Sequence, residues 1–146
     1  MAVPTGSGTE TLHSHLFNDT DGAQTLIFGV QHHVYTVLSI VICCTALNAT
    51  TDKFFLNMHG HDGHAGSSAG TQRIQQGNPQ VGETFVWNDK FSFNGVEPSG
   101  TNVLSASEQI AIAAQSGSAV QELQFDCTHA SDSYHLIVTY LDQDWT

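Results

Sequence analysis

The stretch His33-Val34-Tyr35-Thr36-Val37-Leu38-Ser39-Ile40-Val41-Ile42-Cys43-Cys44-Thr45-Ala46 contains no Asp, Glu, Lys or Arg and is the most apolar run of the chain. Its β-branched side chains lose χ1 freedom in a helix and sit well on a pleated sheet. Read as a strand, it places Val34, Leu38, Ile40 and Ile42 on one face and Tyr35, Val37, Val41 and Cys43 on the other. A strand apolar on both faces must be covered on both. A second sheet supplies one cover, and another subunit is the candidate for the other.

Outward from this run the same period recurs. The i, i+3, i+4 spacing of an amphipathic helix persists nowhere. Alternating β-branched and aromatic runs are punctuated instead by Gly, Asn, Asp and Ser. Strands are expected at about 10–18, 23–31, 33–46, 53–60, 71–77, 83–94, 103–115, 120–127 and 133–141. Along the fourth run Phe54, Leu56 and Met58 share one face and Phe55, Asn57 and His59 the other; along the sixth, Phe85, Trp87, Phe91 and Phe93 share parity. In the last run Tyr134, Leu136, Val138 and Tyr140 oppose His135, Ile137, Thr139 and Leu141. Many short strands joined by Gly-rich turns, without crossover helices, predict an all-β, single-domain antiparallel β-sandwich of the jelly-roll type. Residues 1–9 read as an extended arm and 10–146 as the sandwich. The Gly/Ser-rich segment from Gly60 to Gly70 reads as an exposed loop.

At 146 residues and 40% apolar, the chain is one domain with enough material for a core. Only Lys53, Arg73 and Lys90 are cationic, against 14 acidic residues, for a net charge of −11. Three scattered cations cannot neutralise a row of phosphates, so no nucleic acid is expected as a partner. An anionic membrane surface is excluded on the same ground. The longest apolar run is too short to span a bilayer, and the opening Met1 to Gly8 lacks the cationic start and apolar centre of a secretion signal. Three cysteines fit no disulfide framework; Cys43 and Cys44 are adjacent and point to opposite faces of a strand, so they read as reduced, buried hydrophobes.

Chemistry is sparse. The densest group of the nine histidines is His59-Gly60-His61-Asp62-Gly63-His64. A pair at i, i+2 on a strand shares a face, and imidazoles so placed ligate zinc or copper, which makes His59, His61 and His64 the metal candidates, with Asp62 assisting. The alternative is a polar loop whose histidines hydrogen-bond or face solvent. A jelly roll with such a pair invites comparison with cupin metalloenzymes. The glutamate of their first motif is missing after His61, however, and Pro98-Ser99-Gly100 has no following histidine. His32 and His33 read as rim or interface residues. No serine stands in a Gly-x-Ser-x-Gly turn. Asp142 and Asp144, at i, i+2, could lie together as paired acids, but at the end of a terminal strand they read as solvated. Trp87 and Trp145 are the aromatics a sugar platform would use. No cofactor and no catalytic residue is expected.

Three stretches, Met1-Ala2-Val3-Pro4-Thr5-Gly6-Ser7-Gly8-Thr9-Glu10, Gly82-Glu83-Thr84-Phe85-Val86-Trp87-Asn88-Asp89-Lys90-Phe91 and Val138-Thr139-Tyr140-Leu141-Asp142-Gln143-Asp144-Trp145-Thr146, resemble small structural virion proteins of tailed bacteriophages. The resemblance implies a compact β-sandwich that decorates or cements a capsid, or sits in the neck, tail or fibre, as a symmetric oligomer; a trimer is the expectation. The partners it implies are the major capsid protein or other virion proteins, and the place is the virion. Contacts are expected from the arm (Val3, Pro4, Thr5 and Thr9) and the tail (Asp142, Gln143, Asp144, Trp145 and Thr146). Low charge with abundant Ser, Thr, Asn, Gln and Gly suits surfaces buried against protein, where each charge carries a desolvation cost. A carbohydrate-binding module on the same fold is the competing class.

Overall fold

A computed structural model describes residues 9–30, 33–60, 70–95 and 121–144. Among these the chain forms only strands: β1 (Thr9–Thr20), β2 (Gln24–Phe28), β3 (His33–Ala46), β4 (Phe54–Gly60), β5 (Gly70–Gly77), β6 (Thr84–Trp87), β7 (Phe91–Asn94), β8 (Glu122–Cys127) and β9 (Ser133–Asp144). The strand expected at 103–115 and the interior of the loop expected at Gly60 to Gly70 lie outside the described residues.

One sheet has the order β1-β9-β3-β6, with β7 also on β3; the other runs β2-β8-β4-β5; every pairing is antiparallel. β6 and β7 are one strand interrupted. Trp87 lies opposite Ile40 and Phe91 opposite Val37, so Asn88, Asp89 and Lys90 span a gap that β3 crosses with Leu38 and Ser39. Counted so, the outermost strands β1 and β9 pair, then β2 with β8, β3 with β6–β7, and β4 with β5. A long hairpin of nested pairs, rolled so that β9 also meets β3 and β8 meets β4, is the jelly roll. The expected fold class is the observed one.

The third run corrects its own expected phase. Register against β9 passes from Val37 opposite Tyr140 to Ser39 opposite Thr139, leaving Leu38 as a bulge residue. The extra residue flips the alternation. Tyr35 and Val37 before it, and Ile40, Ile42 and Cys44 after it, all enter the core, while Val41 and Cys43 turn outward and half-buried. The strict alternation expected for this run, with Val41 and Cys43 on the face of Tyr35 and Val37, therefore does not hold. The bulge in β3 is matched by the longer 88–90 segment, so Phe85, Trp87, Phe91 and Phe93 keep one phase and all pack against the core.

Between the sheets, Val37, Ile40 and Ile42 of β3 and Leu136 and Val138 of β9 meet Phe54 and Leu56 of β4 and Leu123 and Phe125 of β8. Phe54 is the hub of an aromatic group, 5.1 Å from Phe85, 6.2 Å from Phe125 and 6.1 Å from Tyr134 between ring centroids. At one end of the sandwich the chain crosses itself on glycine. Gly29 donates to the Gln121 carbonyl, Gly95 to that of His33, and Gln121 to that of Gly95.

Candidate assembly surface

The inner face of the first sheet is core; its outer face has no second layer among the described residues. Strand register lines up one apolar residue from each of four strands. Leu16 of β1 is opposite Ile137 of β9, Ile137 is opposite Val41 of β3, and Val41 is opposite Val86 of β6. Leu16 is 52% exposed, Ile137 41% and Val86 59%, with Val41 half-buried between them. A parallel row of Leu12, Leu141, Thr36 and Ser92 lies past a central row of Ser14, Thr139 and Ser39, two residues on along β1 and β9 and three along β3, where the Leu38 bulge intervenes. Hydroxyls tie neighbouring strands along these rows: Thr36 Oγ1 lies 2.8 Å from Ser92 Oγ, and Ser14 Oγ 3.3 Å from Thr139 Oγ1. None of these residues is charged. Charge returns at the ends of the face, where Gln143 donates to Glu10 at 2.8 Å and His135 meets Asp19 at 3.1 Å, and on the fourth strand, where the exposed Asp89 and Lys90 lie between Val86 and Ser92. At about 4.8 Å per strand and about 7 Å per row, the three rows across β1, β9 and β3 cover roughly 300 Å² of mixed apolar and hydroxyl surface, the size of the largest patch on an ordinary monomer, which is often functional.

At the end of this sheet lie several residues singled out in the sequence. Thr9 opens β1 opposite Asp144. Asp142, Gln143 and Asp144 continue β9 past the expected end at Leu141, with β1 on one side and β3 on the other. The Asp142 carboxylate is flanked by two imidazoles, His33 Nδ1 at 2.7 Å and His13 Nε2 at 3.9 Å, while Asp144 lies 3.9 Å from His33 Nε2. His13 in turn stacks on Tyr140, with centroids 4.9 Å apart. Below them, Tyr35 is buried and its hydroxyl accepts from the Val30 N–H at 3.1 Å. Burial, and then the nearby Asp142 charge, push this phenol up to about 12. The two acids do converge, on His33.

His59 is the one proposed metal ligand among the described residues, and its Nδ1 is 3.0 Å from Thr71 Oγ1 across the β4–β5 pair. His61, His64 and Asp62 lie outside the described residues, as do Val3, Pro4, Thr5, His32, Trp145 and Thr146. Among the described residues no group of three or more His, Cys, Asp or Glu is placed to hold a metal ion. Trp87 faces the core layer and donates its Nε1 to the Asp89 carbonyl at 2.8 Å, so it is no open platform. Cys44 and Cys127 are buried, and burial raises both thiols above their ordinary range, which keeps them protonated and unreactive.

Sequence reasoning missed the row Leu16, Ile137, Val41 and Val86. Leu16, Ile137 and Val86 lie on polar-looking phases of their strands and Val41 on a run read as apolar on both faces, and only the order of strands in the sheet brings the four together.

No family model matches the chain, and no curated protein matches its sequence. Among solved structures it is similar to the protein of the Bacillus endospore appendages, a family of disulfide-linked pili, at 6% identity and TM-score 0.43 over 100% of this chain and 97% of that one. It is similar to a chain of the acid-stable capsid of Helicobacter pylori bacteriophage KHP30, at 8% identity and TM-score 0.41 over 94% and 89%. It is also similar to the CBM22-1–GH10 part of Clostridium thermocellum xylanase 10B, at 12% identity and TM-score 0.38 over 90% of this chain and 24% of that one. These likenesses are distant, and the jelly-roll assignment rests on the strand order of this chain.

Proposed function

We propose that this chain is a non-enzymatic structural protein of a tailed-bacteriophage virion, a decoration or cement protein that binds the head shell as an oligomer. The observation that carries this reading is the uncharged area on the outer face of the first sheet. In a chain with 14 acids and three bases, an uncharged area that crosses β1, β9 and β3 and reaches Val86 of β6 is where protein can be buried at low desolvation cost. The three stretches that resemble small virion proteins support the same class, and two of them contribute Val86 and Leu141 to this face. Placement in the tail, neck or fibre would use the same surface.

The test is co-sedimentation of the purified chain with phage head shells that lack it. Saturable retention is expected, and Ile137→Lys together with Val86→Lys should abolish it while leaving the fold intact. Failure of the unaltered chain to bind, or indifference of binding to the two lysines, would overturn the reading. A glycan-array signal from the same preparation, lost on changing Glu122 and Gln124 on the outer face of the second sheet, would favour a carbohydrate-binding module instead.

A further inference from the structure

β1 ends the first sheet. Among the described residues it pairs only with β9, and none of them covers the half of its N–H and C=O groups that point away from β9. Natural edge strands are blunted by shortness, by lysine or proline, or by a bulge. β1 is 12 residues long and carries neither Lys nor Pro. Its first irregularity comes only after Phe17, where register shifts and Asp19 turns to φ 50°. From Thr9 to Phe17 it is a regular template that no other described strand covers.

Its sequence says what the template fits. Leu12-His13-Ser14-His15-Leu16 reads the same in both directions. Two copies of one strand that meet antiparallel about a two-fold axis oppose each residue with its mirror position, and a two-fold contact requires that the surface complement itself. With the axis at Ser14, Leu12 of one copy meets Leu16 of the other, His13 meets His15, and Ser14 meets Ser14. Leucines and serines lie on the outer face, histidines on the inner. Leu12 is 65% exposed and Leu16 52%, so this pairing covers two of the largest exposed apolar side chains. Glu10 falls opposite Asn18, and no two carboxylates are opposed, although each copy carries −11. Moving the axis by one residue loses this match: Leu12 then faces Ser14 and Glu10 faces Leu16, or Leu12 faces Asn18. The imidazoles are already held in place, His13 on Tyr140 and His15 edge-on to Phe17 at 4.5 Å.

We propose that β1 is a homodimerisation edge, joined antiparallel to β1 of a second copy on a two-fold axis through Ser14, so that the two first sheets become one. A strand of some other protein could add to the same edge through backbone bonds, but nothing in such a partner calls for a palindrome. Leu12, Ser14 and Leu16 also belong to the face on which the virion reading rests, but the cross-links below report β1 against β1 and not binding to head shells, so either can fail alone.

Cysteine cross-linking tests it in the full chain with Cys43→Ser as background. Opposed Cα atoms on antiparallel strands are about 4.5–5.5 Å apart, within disulfide reach, so Ser14→Cys should oxidise to a covalent dimer. Leu12→Cys alone should not, because its two copies lie four residues apart, about 14 Å. Mixed with Leu16→Cys it should. A folded Ser14→Cys chain that stays monomeric on oxidation, or Leu12→Cys cross-linking as readily as Ser14→Cys, would overturn the proposal. As a second measure, Leu12→Lys with Leu16→Lys opposes like charges on exposed positions and should raise the dimer dissociation constant in sedimentation by about tenfold or more. A monomeric unaltered chain, or an unaffected double variant, would count as refutation.

Discussion

The Asp142 carboxylate sits 2.7 Å from His33 Nδ1, joining two strands whose residues stand 109 positions apart in the chain. Both side chains are mostly shielded from solvent, at 18% and 21% exposed. Asp142→Ala removes the acceptor for His33 and the nearest carboxylate to His13. We expect a loss of about 1–2 kcal/mol in urea unfolding. His33→Ala should cost a similar amount, and the double variant less than the sum of the two singles, because both act on one contact.

Burial holds all three tyrosines in their neutral form. Tyr35 is raised to about 12 and Tyr134 further, with desolvation the leading cause, and Tyr140 is raised as well. The native state therefore keeps its phenol protons more tightly than the unfolded chain, whose tyrosines titrate near 10. Their contribution is fully present below about pH 10 and is lost as pH climbs from there through about 12, since the unfolded chain binds fewer protons in that window. We expect tyrosinate absorbance and loss of circular dichroism to rise together in alkaline titration. Tyrosinate forming near pH 10 in a chain that remains folded would refute this.

The Tyr134 hydroxyl is fully buried and finds no hydrogen-bond partner among the described residues, although the ring packs on Phe125 at 5.1 Å and Phe54 at 6.1 Å. Deleting the oxygen keeps the packing and removes an unpaired polar atom. Tyr134→Phe should thus stabilise the fold by about 1 kcal/mol, seen as a higher urea midpoint with unchanged slope.

Much of this was legible in the sequence, and what was not has a common cause. Phe54, Leu56 and Met58, or Tyr134, Leu136 and Val138, alternate without interruption, and their faces follow from period two alone. Leu38 is different. Its bulge exists because β9 and the 88–90 segment of the neighbouring strand are built to match it, so the phase change in β3 is a property of three strands. The same holds for the candidate surface. Leu16 and Val86 are ordinary exposed residues until strand order sets Ile137 and Val41 between them. The convergence of Asp142 and Asp144 on His33 likewise needs β9 to lie beside β3, which no local spacing announces. The Leu-His-Ser-His-Leu palindrome was in plain view, but it means nothing until β1 is known to be an edge.

Asp132 is fully buried, and its carboxylate accepts the Asn48 N–H at 2.8 Å and the His129 N–H at 3.1 Å. It pins the turn after β3 to the turn between β8 and β9. Asp132→Ala strands two backbone donors, and we expect a cost of about 2–4 kcal/mol. Asp132→Asn should recover only part, because an amide offers one acceptor oxygen where two N–H groups converge. Equal stability of the Asn variant and the unaltered protein would show that one acceptor suffices.

The glycine crossing gives the sharpest contrast between two substitutions of the same kind. A Cβ on Gly95 would run into the backbone carbonyl and nitrogen of Val30, and one on Gly29 into the carbonyls of Gly95 and Gln121. Backbone cannot yield as a side-chain tip can, and the crossing is tied by the bonds from Gly29 to Gln121, Gln121 to Gly95 and Gly95 to His33. Gly95→Ala must open that clasp at the ends of β2, β7 and β8, at an expected cost of about 2–4 kcal/mol. Gly22 provides the control. It has φ +69° but open space around the position of a Cβ, so Gly22→Ala meets only the left-handed strain of about 1 kcal/mol. Urea unfolding of the two variants side by side should separate them by at least about 1 kcal/mol. Equal losses would mean that the chains do not cross as closely as the geometry places them.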